Sequence, residues 1–91
     1  MLIVNKDKNV TMNFKRINFL KIESNENEFD IVANYANDKE ISIATYDSYN
    51  RAQEVLQEIT HEFKKVARVD EQNNGNPRFY NIPRVYEMPE K

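Results

Sequence analysis

The chain has no cysteine, a single glycine and a single histidine. Without cysteine there can be no disulfide scaffold, no thiol nucleophile and no cysteine-ligated zinc. The one glycine, Gly75, cannot furnish a phosphate-cradling loop, and it does not stand at a strand-to-helix turn. The one histidine, His61, has no second histidine or cysteine with which to share a transition metal. Long apolar runs are missing as well. After Met1 the opening MLIVNKDKNV holds only Leu2, Ile3 and Val4 in succession. That is shorter than the apolar region of a signal peptide and far short of the roughly 20 residues of a membrane helix. The expectation is a cytoplasmic chain. Nor does either sign of charge dominate: 13 basic residues against 15 acidic ones give a net charge of −2. That balance offers no global attraction to nucleic acid or to an anionic membrane.

What is present suits one small soluble domain spanning 1–91. With 40% apolar and 31% charged residues, the chain has enough apolar material for one core and no room for a second. Its clearest signal is the stretch Ser48 to Val69, SYNRAQEVLQEITHEFKKVARV. Tyr49, Ala52, Val55, Leu56, Ile59, Phe63 and Val66 recur at spacings of three and four and so share one side of a helix. Glu54, Gln57, Glu58, His61, Glu62, Lys64 and Lys65 take the rest of the circumference. Ser48 is the expected N-cap, because its hydroxyl can accept from a backbone N–H of the first turn. Lys64, Lys65 and Arg68 suit the negative pole at the other end.

The first half, 1–46, reads as short strands divided by polar turns. Leu2 to Val4 and Val10 to Phe14 should form a hairpin across Asn5-Lys6-Asp7-Lys8-Asn9. Arg16 to Ile22 breaks strict alternation. Ile17 and Phe19 point one way and Leu20 and Ile22 the other, so either a bulge lies near Phe19 or the strand begins there. Glu28 to Ala36 alternates cleanly, with Phe29, Ile31, Ala33 and Tyr35 on one face and Asp30, Val32, Asn34 and Ala36 on the other. Past Asn37-Asp38-Lys39, alternation puts Ile41, Ile43 and Thr45 on one face and Ser42, Ala44 and Tyr46 on the other. Segments 70–83 read as a polar loop. Pro83 and Pro89 bracket a short edge strand over 84–88, where proline limits further pairing. The expected fold is α+β: an antiparallel meander of about five short strands packed against one long amphipathic helix, with a short C-terminal edge strand.

In outline the chain resembles a group of small uncharacterised proteins of low-GC Gram-positive bacteria and their phages and plasmids. The stretches that carry the likeness are LIVNKDKNVTMNFKRI, TYDSYNRAQEVLQEI and the closing RVYEMPEK. The resemblance implies a meander sheet with one helix and an origin in a mobile element. It implies no activity, and it makes Asp70 to Pro83 look like an insertion.

Catalytic readings find little to build on. Glu54, Glu58 and Glu62 follow one another at i, i+4, but Arg51, His61 and Lys65 lie among them, as on a solvated helix face of mixed charge. Asn5, Asp7 and Asn9 resemble the start of a calcium loop, yet Val10 and Arg16 stand where a glycine and a glutamate would be needed. Ser24, Ser42 and Ser48 lie in no nucleophile-elbow pattern. No enzymatic activity, cofactor or metal is expected. A pocket lined by His61 and two of the helix glutamates would reopen that question.

The expected function is a small protein-interaction module that binds another protein or a second copy of itself. Its candidate surface is Arg78, Phe79, Tyr80, Arg84 and Tyr86, where guanidinium groups and aromatic rings combine as they do at interfaces, together with an exposed edge strand. The alternative is single-stranded nucleic-acid binding through those residues and the basic cluster Lys6, Lys8, Lys15 and Arg16.

Overall fold

The computed structural model describes residues 1–72 and 85–91, the side chains of 65–72 excepted. Chain order is β1 (Leu2–Val4), β2 (Thr11–Asn13), a 3-10 turn (Phe14–Arg16), β3 (Ile17–Asn25), β4 (Glu28–Tyr35), β5 (Lys39–Tyr46), α1 (Tyr49–Gln72) and β6 (Val85–Glu87).

The fold is α+β with one helix, but the strands divide between two three-stranded sheets instead of forming one meander of five. Strands β3, β4 and β5 make the antiparallel meander. The other sheet runs β2-β1-β6, and in it β1 pairs antiparallel with β2 and parallel with β6. The division falls at the 3-10 turn. There the Asn13 side chain accepts from the Lys15 N–H at 3.0 Å, a local bond that competes with the strand ladder. The ladder of β2 ends, the Phe14 N–H donates to the Met1 carbonyl at 2.9 Å, and β3 opens a new sheet. The expected β1–β2 hairpin is present, with Leu2 opposite Asn13 and Val4 opposite Thr11. Its turn is organised by Asn5, a buried side chain whose Oδ1 accepts from the N–H groups of Asn9 and Val10, each at 2.9 Å.

Both long strand pairs are bulged. In β3 the register slips between Ile17 and Phe19, which leaves Asn18 as the extra residue and settles the broken alternation in favour of a bulge. In β5 the expected faces are wrong beyond Ser42. Val32 pairs with Ser42 and Ile31 with Ala44, so Ile43 is the inserted residue. An insertion of one reverses the parity of everything after it. Ala44 and Tyr46 therefore join the core, and Thr45 turns to the other face to donate to Asp30 Oδ1 at 2.7 Å. The bulge has a partner: the Ile43 carbonyl accepts from the Lys6 N–H at 2.8 Å, which ties the β1–β2 turn to the other sheet.

Ser48 caps α1 as expected, its Oγ accepting from the Arg51 N–H at 3.0 Å and its carbonyl from the Ala52 N–H at 3.2 Å. The helix continues to Gln72, beyond the expected end at Val69. Asp70, Glu71 and Gln72 contain no breaker, and the first glycine comes only at Gly75. Ala52, Val55 and Ile59 are fully buried in one cluster with Ile31, Ala33 and Ile43 of the meander, Ile3 of the smaller sheet and Met88 just past β6, so the helix and the two sheets share one core. Burial of each branched aliphatic side chain contributes about 1.5–3 kcal/mol. Phe63 extends the stripe onto Phe14, with ring centroids 4.6 Å apart. Tyr49 at the other end is largely exposed and meets Phe29 edge to face at 6.1 Å.

Candidate functional site

The closing strand determines where the expected surface residues lie. Of the five, Tyr86 is described by the structure, while Arg78, Phe79, Tyr80 and Arg84 lie outside the described residues. Strand β6, expected over 84–88, is seen as Val85–Glu87 at the edge of the smaller sheet, with Tyr86 opposite Ile3. Several contacts hold this segment to the body. The Met88 N–H donates to the Val4 carbonyl at 3.0 Å, and the Met88 side chain is buried. The Tyr46 hydroxyl donates to the Pro89 carbonyl at 2.7 Å, and Arg51 Nε donates to the backbone oxygen of Lys91 at 2.8 Å. Burial pushes the Tyr46 hydroxyl up to about 12 from an ordinary 10.0, because the phenolate form would lose water.

Tyr86 is half-buried, and its hydroxyl donates to Glu58 Oε2 at 2.8 Å. Burial first, and the bond to the Glu58 carboxylate second, raise the Tyr86 hydroxyl well above its ordinary range. Between this ring and α1 lies an open groove of about 410 Å³, lined by Glu54, Gln57, Glu58, His61, Glu62 and Tyr86. The arrangement that would reopen a catalytic reading is thus present: His61 and more than two helix glutamates line one concavity. The helix repeat alone puts those side chains on neighbouring turns, and Tyr86 rises beside them to form the second wall. The signal for the groove was in the sequence as the glutamate row; its other wall depends on a strand pairing that no local pattern encodes. Arg51 partly neutralises the acidic side, with Nη1 at 3.2 Å from Glu54 Oε2 and 3.7 Å from Glu58 Oε1. Among the described residues, no cluster of three or more histidine, aspartate or glutamate side chains is suited to a metal ion.

A second surface is the outer edge of β3, a strand of nine residues. On its inner side β3 pairs with β4 alone, and among the described residues no backbone hydrogen bond reaches its outer side. On the face away from the helix, Lys21 Nζ lies 3.0 Å from both Glu23 Oε1 and Glu40 Oε2. The hydrogen bond to Glu40, then that to Glu23, raises Lys21 above the ordinary lysine value. Lys21 and then Asn34, which donates at 3.3 Å, hold Glu40 below the ordinary carboxylate value. Phe19 stands 48% exposed on that same face. The sequence points to the C-terminal strand as the edge and not to this one. Its available signal was the near-neutral run Phe19 to Asn25, which has one lysine, one glutamate and no proline.

The basic cluster is dispersed among internal contacts. Lys6 Nζ donates to the Thr45 carbonyl at 2.6 Å and lies 4.9 Å over the Tyr46 ring, while Lys8 Nζ is 3.9 Å from Glu90. Lys15 and Arg16 sit in the last turn of the 3-10 segment. Among the described residues, no helix is long and apolar enough to cross a membrane. No protein-family model matches the chain, and comparison with curated proteins and with solved structures found no match in either.

Proposed function

We propose that the chain is a non-enzymatic protein-interaction module that docks an extended strand along the outer edge of β3. The observation that carries this reading is the nine-residue strand Ile17–Asn25, which is outermost in its sheet and whose outer edge pairs with no other described strand. Such an edge supplies main-chain hydrogen bonds to an added strand, while side chains on alternate positions select it. Phe19 offers the exposed apolar contact, and the Lys21–Glu23 pair offers both signs of charge. A random-peptide display selection on the purified chain is expected to return extended binders that shift the amide resonances of Leu20, Ile22 and Ser24. A selection that returns no binder, or only binders mapping elsewhere, overturns the reading.

The acidic groove supports a second reading, in which His61 serves as a general base beside Glu58 or Glu62. Against it, Glu58 is already engaged by Tyr86 and Arg51, which anchor the closing segment. The two readings separate in an NMR screen of small cationic and neutral metabolites. Ligand-induced shifts confined to His61 and its helix neighbours would favour chemistry at the groove.

A further inference from the structure

We infer that the strand docked on β3 is the β3 of a second copy of this chain, paired antiparallel about a two-fold axis at Ile22. This rests on the proposal that β3 is a docking edge, and it names the occupant. The hydrogen-bonding phase of the edge follows from the β3–β4 hairpin. Asn25 pairs with Glu28 across the two-residue turn Glu26-Asn27, and the closing pair of such a turn is hydrogen-bonded. Asn25, Glu23 and Lys21 therefore spend their backbone groups on β4. Leu20, Ile22 and Ser24 turn theirs outward.

A two-fold axis through Ile22 lets these outward groups satisfy one another: Ile22 faces the partner's Ile22, and Leu20 faces the partner's Ser24. On the opposite face the same operation sets Lys21 against the partner's Glu23, and Glu23 against the partner's Lys21. Neighbouring registers are worse. A centre at Lys21 or at Glu23 confronts like charges, and a centre at Leu20 leaves both charges without an ionic partner across the seam. Opposite charges facing across an antiparallel pair are favourable and like charges are not, so the sequence of this edge selects one self-pairing. Leu20 and Ile22, half-buried on the core side at the open edge, would also gain cover from the second copy.

The bulge at Asn18 and the lone Lys21 are devices that can protect an edge. Here the bulge lies at one end, which leaves Phe19 to Asn25 regular, and Lys21 is matched by Glu23 within the strand.

The test uses the whole chain and two charge reversals, Glu23→Lys and Lys21→Glu, each checked for folding by circular dichroism. Sedimentation equilibrium of the unaltered chain should show a monomer–dimer equilibrium. Each reversal alone should weaken it about tenfold or more, since both symmetric pairs become repulsive. An equimolar mixture of the two variants should recover dimerisation, because the Glu23→Lys chain then faces the Lys21→Glu chain with every pair opposite in sign. A dimer indifferent to both reversals, or variants whose mixture fails to associate, overturns this pairing. A monomer at every concentration also overturns it. If that monomer still captures selected peptides on β3, the docking edge survives without self-pairing; if it does not, both proposals fall.

Discussion

Raising the pH should release the closing segment through Tyr46. This side chain is 3% exposed, its hydroxyl donates to the Pro89 carbonyl at 2.7 Å, and burial raises its pKa from 10.0 to about 12. The folded state therefore holds its phenolic proton more tightly than the unfolded chain does. Stability from this group is fully present below pH 10, where both states are protonated. It declines as the pH climbs from about 10 to about 12, because the unfolded chain sheds a proton that the folded chain retains. A shift of that size has a ceiling near 2.7 kcal/mol. Tyr46 lines an open concavity beside Lys6, Arg51, Glu90 and Lys91, so water should screen the effect to about 1 kcal/mol. The assay is urea denaturation of the unaltered chain and of Tyr46→Phe at a series of pH values, followed by circular dichroism. At neutral pH the substitution should cost about 1 kcal/mol, the net worth of one hydrogen bond. Between pH 10 and 12 the two curves should converge, because only the unaltered chain carries the Tyr46 proton that the folded state holds more tightly. Curves that stay parallel to pH 12 would refute the reasoning.

Ile59→Ala empties a fully buried position where the helix meets the meander and should cost about 2–5 kcal/mol in the same denaturation assay. Asn5→Ala leaves the Asn9 and Val10 N–H groups without their acceptor, so a loss of about 1–3 kcal/mol is expected, with faster hydrogen exchange at those two amides. Tyr86→Phe should leave global stability within about 1 kcal/mol, since Glu58 is exposed and Arg51 remains beside it. Its mark should be local: faster exchange of the Met88 amide, which reports opening of β6 from β1.

Local signals were legible wherever neighbouring residues alone decide the conformation. The helix and its Ser48 cap follow from a three-and-four spacing and one hydroxyl, both contained within a few turns of chain. Alternation in β4 sends Ile31 and Ala33 to the core, although Val32 and Asn34 on the opposite face are buried too, and the conflict around Phe19 pointed to either a bulge or a later strand start, of which the fold shows the bulge. Strand β5 shows where such reading fails. Ile41, Ile43 and Thr45 alternate as if they shared one face, yet the Ile43 insertion, bonded to Lys6 far away in sequence, reverses the rest of the strand. The division into two sheets and the parallel docking of β6 on β1 are likewise pairings between distant segments. Their energies come from contacts that no window of sequence contains. The two candidate surfaces divide the same way. A row of glutamates with His61 is written into the helix repeat, but it becomes a groove only because β6 places Tyr86 beside it. The balanced charges of β3 are local as well; whether that strand is central or outermost is decided by which segments pair with it, and only the folded chain decides that.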